Sequence, residues 1–160
     1  MCEACEKRIS KIWPDIPKGS LYRTPDLHSG KAFSVGKKSP ENIRIVPQNI
    51  IVTRSSFVAA IHYLFENRHY EKNPCEIRSS NSTKEAGPLC ISSRDRNSNV
   101  RCINYILPIL QSFLIVGIDS SQPNKTWLLW CKIRWGGAQG RCWLQWLPPT
   151  SKNARKDKVT

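Results

Sequence analysis

The spacing of apolar residues changes period several times along the chain, and each change predicts an element. In residues 2–13, Ile9, Ile12 and Trp13 fall on one side of a short helix, which Pro14 and Pro17 end. From 20 to 53 the period shortens. "LYRT", "KAFSV", "NIRIV" and "IIVT" are brief runs containing aromatic or β-branched residues, separated by turn formers such as His28-Ser29-Gly30 and Lys38-Ser39-Pro40. They predict a small sheet. At Ser55 the period becomes helical. Phe57, Ile61, Leu64 and Phe65 form one stripe, with Ser55 as the expected cap and an end near Asn67.

"CEIRS", residues 75–79, reads as a short strand. "STKE", Ser82 to Glu85, has the form of a capping box, but Gly87-Pro88 interrupts the helix that such a box would open. The next helix therefore starts at Ser82 or at Pro88, where proline suits a first turn, and ends near Arg94. After the polar turn "RDRNS", a further helix is expected from about Asn99. Val100, Ile103, Leu107, Leu110 and Leu114 lie on its apolar face. Pro108 falls inside it and predicts a kink, because a helix-interior proline removes a hydrogen bond and costs about 3 kcal/mol. "LIVGID" and "TWLLW" are β runs around the turn-forming tip "SSQPNK". The resulting order is helix, strand, helix, helix, hairpin.

With that order, residues 55–129 resemble the winged helix-turn-helix domains of bacterial DNA-binding proteins. The carrying stretch is "RNSNVRCINYILPILQSFLIVGID" together with "SSQPNKTWLL" directly after it. The resemblance covers about half the chain. It implies a winged-helix module at 54–130. With the short leading helix and the β-rich runs read above in residues 1–53, the expected fold is α+β, a small β-rich N-terminal part followed by that module. A Trp-rich basic extension, 131–160, comes last. The implied function is binding of double-stranded DNA by a regulator or recognition subunit. Such a recognition helix enters the major groove with its N-terminal half near base edges. Here that half carries Arg101, Asn104 and Tyr105, preceded by Ser98 and Asn99. Arginine pairs with guanine and asparagine with adenine through two hydrogen bonds each. Arg94, Arg96 and Lys125 are expected at phosphates, which position a protein without specifying sequence. Gln122 and Asn124 give the wing short polar groups, beside Ser120 and Ser121.

Charge agrees with such a partner. The chain carries 25 Lys and Arg against 12 Asp and Glu, a net charge of +13. That favours polyanions. The excess is concentrated toward the end, since residues 101–160 hold nine basic and two acidic groups. Five of the six Trp lie between 127 and 146, interleaved with arginines and succeeded by the basic "SKNARKDK". This tail suits single-stranded nucleic acid, an anionic membrane surface, or plain cover for the module's flank.

Two other classes compete. One is a winged-helix protein-interaction module, or a homodimer, in which Arg101 and Asn104 merely face water. The other is a metal-dependent nuclease. It needs clustered carboxylates, and Asp26 with His28, Glu76 with Arg78, and His69 with Glu71 and Asn73 are each incomplete sets. Seven cysteines offer one metal-like spacing, Cys2 and Cys5 in "CEAC", without a fitting second pair for zinc. No catalytic residue, metal or cofactor is therefore expected. No apolar run reaches the roughly 18 residues of a membrane span, and the start lacks a secretory signal, so the expected location is cytoplasmic.

Overall fold

The computed structural model describes residues 2–129. The Trp-rich basic extension, 131–160, lies outside these residues. The fold is α+β.

Helix α1 (Glu3–Ile12) leads into a single tight turn at Trp13–Asp15 and buries Cys5, Ile9 and Trp13. Strands β1 (Leu21–Arg23), β2 (Ala32–Lys38), β3 (Asn42–Val46) and β4 (Ile50–Thr53) then form an antiparallel meander in sequence order. Alternation decides its faces. Phe33, Val35, Ile43, Ile45 and Val52 point inward and are buried, while Arg23 and Ile51 stay exposed and Arg44 partly so. Lys38 fastens α1 to this sheet. Its ammonium donates to the carbonyls of Trp13, Pro14 and Ile16, and the Trp13 indole N–H donates to the Ser39 carbonyl at 2.9 Å.

Helix α2 (Arg54–Glu66) continues from β4 without a loop. Its cap is Thr53, whose hydroxyl accepts from the Ser56 amide, and not Ser55 as the sequence suggests. Phe57, Val58, Ala59, Ala60, Ile61 and Leu64 are all buried, so the helix is apolar around most of its circumference. That is the pattern of a central helix. It packs against α1 and β4 on the N-terminal side and against the later helices and last strand on the other.

Those later elements are β5 (Cys75–Glu76), α3 (Pro88–Asp95), α4 (Ile103–Ser112), β6 (Val116–Asp119) and β7 (Lys125–Leu128). Of the two possible starts of α3, the chain uses the second: Pro88 occupies the first turn, and "STKE" forms a turn instead of a capped helix. Helix α4 begins at Ile103, four residues later than expected. Ser98 and Asn99 adopt left-handed backbone angles, φ 51° and 60°, which no right-handed helix contains. Val100 and Leu114, expected on the apolar face, are exposed. Pro108 lies within α4 and is buried.

The second sheet is antiparallel with order β5-β7-β6, so the returning strand of the hairpin lies in the middle. The hairpin needs Gly117. A Cβ there would stand 2.6 Å from Cζ2 and 2.7 Å from Nε1 of Trp127, which lies directly across from it.

One buried cluster runs from Cys5 and Ile9 through Phe33, Ile45 and Phe57 to Ile106, Leu110, Val116 and Leu128. The N-terminal sheet and the helix–hairpin part therefore share a core. Phe33 is the joint between them: its ring stacks on Tyr22 and meets Tyr105 of α4 edge-on, with centroids 5.4 and 5.1 Å apart.

Candidate nucleic-acid interface

The loop between α3 and α4 is built from long-range hydrogen bonds. Asn97 is 3% exposed, and its amide works as a piece of strand. Its Oδ1 accepts from the Thr53 amide at 2.9 Å, while its Nδ2 donates to the carbonyls of Ile51, at 3.1 Å, and Val100. The Thr53 hydroxyl donates to the Arg96 carbonyl at 2.6 Å. The loop is thus stapled along the outer edge of β4. The turn is completed by the amides of Asn97 and Asn99, which donate to the Arg94 carbonyl.

This staple sets out a corner. Arg96, Ser98 and Asn99 are exposed, and Arg101 and Asn104 are partly exposed where α4 begins. Among the described residues neither Arg96 nor Arg101 forms an ion pair. The corner also carries one acid, the exposed Asp95.

Two expected contact residues are placed elsewhere. Arg94 is 2% exposed, and its guanidinium donates to the carbonyls of Ser80 and Asn81. It holds the segment before α3 and cannot reach a phosphate. Tyr105 is buried against Phe33, so it is a core residue and not a reader of bases. The two corrections have different causes. Arg94 is taken up by the segment before α3, inside the module itself, whereas Tyr105 is covered by Phe33 of the N-terminal sheet. Much of the flank of α4 is covered too, since Ile103 and Tyr105 to Leu110 are all buried.

The hairpin tip is shaped by Asp119, whose Oδ1 accepts from the Ser121 amide at 2.9 Å. Bonds from Ser121 hold the Asp119 carboxyl below its usual range. Gln122 is exposed, next to a cis bond to Pro123. Asn124 is partly occupied, donating from its side chain to the Pro25 carbonyl in the loop between β1 and β2. Lys125 stands opposite Asp119 in the ladder, which offsets part of its charge. The tip thus leans on the N-terminal sheet.

The residues considered for metal chemistry are not assembled. Asp26 closes a turn, its Oδ1 accepting from the amides of His28 and Ser29 at 3.0 and 2.8 Å, and these bonds lower its carboxyl. His69 stacks on Tyr63, and its Nδ1 lies 3.0 Å from the Asn73 carbonyl. Burial pushes the Cys5 thiol up to about 12, which disfavours the thiolate that zinc requires. Among the described residues no group of three or more His, Cys, Asp or Glu is placed to hold a metal ion. Among them, too, no helix is long and apolar enough to cross a membrane.

Sequence reasoning missed Asn97. Its partners in β4 are 44 and 46 residues away, and nothing local distinguishes it from the other polar residues of the turn.

The chain matches no known protein family, no curated protein and no solved structure.

Proposed function

We propose that the chain binds double-stranded DNA through a winged helix-turn-helix module spanning α2 to β7, and that it acts by binding without catalysis. The observation that carries the reading is the corner at the start of the second of two consecutive helices, where Arg96, Ser98 and Asn99 are exposed and Arg101 and Asn104 partly so. The order helix, strand, helix, helix, hairpin supports it, as does the net charge of +13. Because the flank of α4 is covered, the contact is made by this corner and by the exposed Gln122 at the hairpin tip. The helix inserts end-on. Arg101 and Asn104 read base edges, and Arg96 and Lys125 meet phosphates.

The test is fluorescence anisotropy with labelled duplex DNA over a range of salt, and then selection of a preferred site. Binding should fall steeply with salt. Arg101→Ala and Asn104→Ala should each cost about 1–3 kcal/mol on the selected site and little on random duplex. Arg96→Ala should weaken both alike and reduce the salt slope by about one. A folded protein that binds no duplex at low salt overturns the reading.

The covered flank of α4 favours a second reading, a winged-helix protein-interaction module. Partner binding indifferent to salt and to Arg101→Ala would mark it.

A further inference from the structure

The solvent face of the N-terminal sheet carries charge of one sign. Strands β1 to β4 contain Arg23, Lys37, Lys38 and Arg44 and no acid. Asp26 and Glu41 lie in the connecting turns. Lys38 turns inward to the carbonyls that hold α1. Lys37 and Arg44 stand directly across from each other on the outer face.

Strict alternation does not put Lys37 there. Val35 is buried, so a regular strand turns Gly36 outward and Lys37 inward. A β-bulge between Val35 and Lys37 shifts the register, and Lys37 then pairs with Arg44 while Lys38 pairs with the buried Ile43. Bulges re-aim side chains in this way. Glycine suits position 36, because a Cβ there would stand 2.9 Å from Cγ1 of Val46.

The result is two cations facing each other in a ladder, where like charges repel. Among the described residues neither forms an ion pair. Lys37 is exposed. Arg44 is half-buried, and its Nη1 donates to Oδ1 of Asn49 at 2.6 Å. That partner is neutral, so it fixes the guanidinium and leaves its charge uncompensated. An anion shared by the two cations removes the repulsion.

The pair also lies in a row. Ile51 follows Arg44 across the next ladder, and its carbonyl accepts from Asn97 in the loop that leads from Arg96 to Arg101. At ~4.8 Å from strand to strand, Lys37 stands roughly 15 Å from that loop. A nucleic-acid strand, with one charge every ~3.4 Å, covers this distance in about four steps. Two cations in line with a polar loop fit a linear polyanion better than a flat lipid surface.

We infer that the solvent face of the N-terminal sheet, through Lys37 and Arg44, holds the phosphate backbone of the duplex beside the site read by the corner. The inference rests on the DNA-binding reading above.

The full chain is titrated with labelled duplex, selected and random, at several salt concentrations, as wild type and as Lys37→Ala, Arg44→Ala and Lys37→Glu. Each alanine variant should lower the salt slope by about one and weaken both duplexes alike. Lys37→Glu carries its own control for folding. It sets opposite charges across the ladder, so its urea midpoint should hold or rise while its duplex binding falls. Vesicles of phosphatidylserine and phosphatidylcholine are titrated beside the duplex.

Duplex binding that weakens in Arg96→Ala and Arg101→Ala but is unchanged in all three sheet variants overturns the inference and leaves the DNA reading standing. Duplex binding weakened by the sheet variants and indifferent to Arg96→Ala, Arg101→Ala and Asn104→Ala supports the sheet face and overturns the corner. Vesicle binding abolished by Lys37→Glu, with no duplex bound, assigns the face to anionic lipid and overturns both. A folded protein that binds neither overturns both as well.

Discussion

A single arginine shows how much a residue's role depends on its surroundings. Arg94 sits in a basic turn yet points inward, and its charge is spread over two main-chain carbonyls. Arg94→Ala strands those carbonyls and should cost about 2 kcal/mol, read as a lower urea midpoint. The salt slope of the proposed DNA binding should not change, because the buried Arg94 has no group within reach of a phosphate. The sequence shows only an arginine among arginines, and direction is invisible without the partner segment. The buried thiols make a second case. Burial raises Cys5 to about 12, and Cys75 and Cys102 to about 11, from an ordinary value near 9. A raised folded value means that the native state keeps protons the unfolded chain has lost. The stabilisation is complete below about pH 9 and is lost as pH rises through the folded values. Denaturation midpoints should therefore fall between pH 9 and 11, and Cys5→Ser, Cys75→Ser and Cys102→Ser together should flatten that fall.

At the scale of elements, the loop before α4 depends on Asn97. Asn97→Ala removes one bond from the Thr53 amide and two to carbonyls. The expected loss is about 2–3 kcal/mol by chemical denaturation. Asn97→Asp keeps the acceptor but sets a carboxylate against the Ile51 and Val100 carbonyls, so it should be worse. Most element types are legible because their periods are strong: the short β runs of the meander, the stripe through Phe57 and Ile61, and the hairpin around "SSQPNK" all stand where the pattern puts them. Boundaries are less so. The pattern points to Ser55 as the cap of α2, but the direct passage from β4 into the helix puts Thr53 there. Asn99 has the character of a helix start, but the left-handed angles at Ser98 and Asn99 come from the staple to β4. The corner residues of the candidate site are legible as polar positions before an apolar helix. The coverage of Tyr105 is not, because Phe33 lies 72 residues earlier in the chain.

For the whole molecule, the shared core predicts one cooperative unit. α2 touches elements from both sides, and Phe33 is wedged between Tyr22 and Tyr105. Amides of Ile45 in β3 and Ile106 in α4 should exchange through the same global opening, with one dependence on urea. Separate dependences would mean that the N-terminal sheet unfolds by itself. Phe33→Ala should lower both together, by about 3–5 kcal/mol. The close fit of Gly117 beneath Trp127 has a different kind of consequence, for how such a chain can vary. Any side chain at 117 takes the space of the indole, and a smaller residue at 127 leaves the glycine uncovered. The pair should therefore change together or not at all, and in any set of descendants it should leave a correlated signature that neither position would show alone.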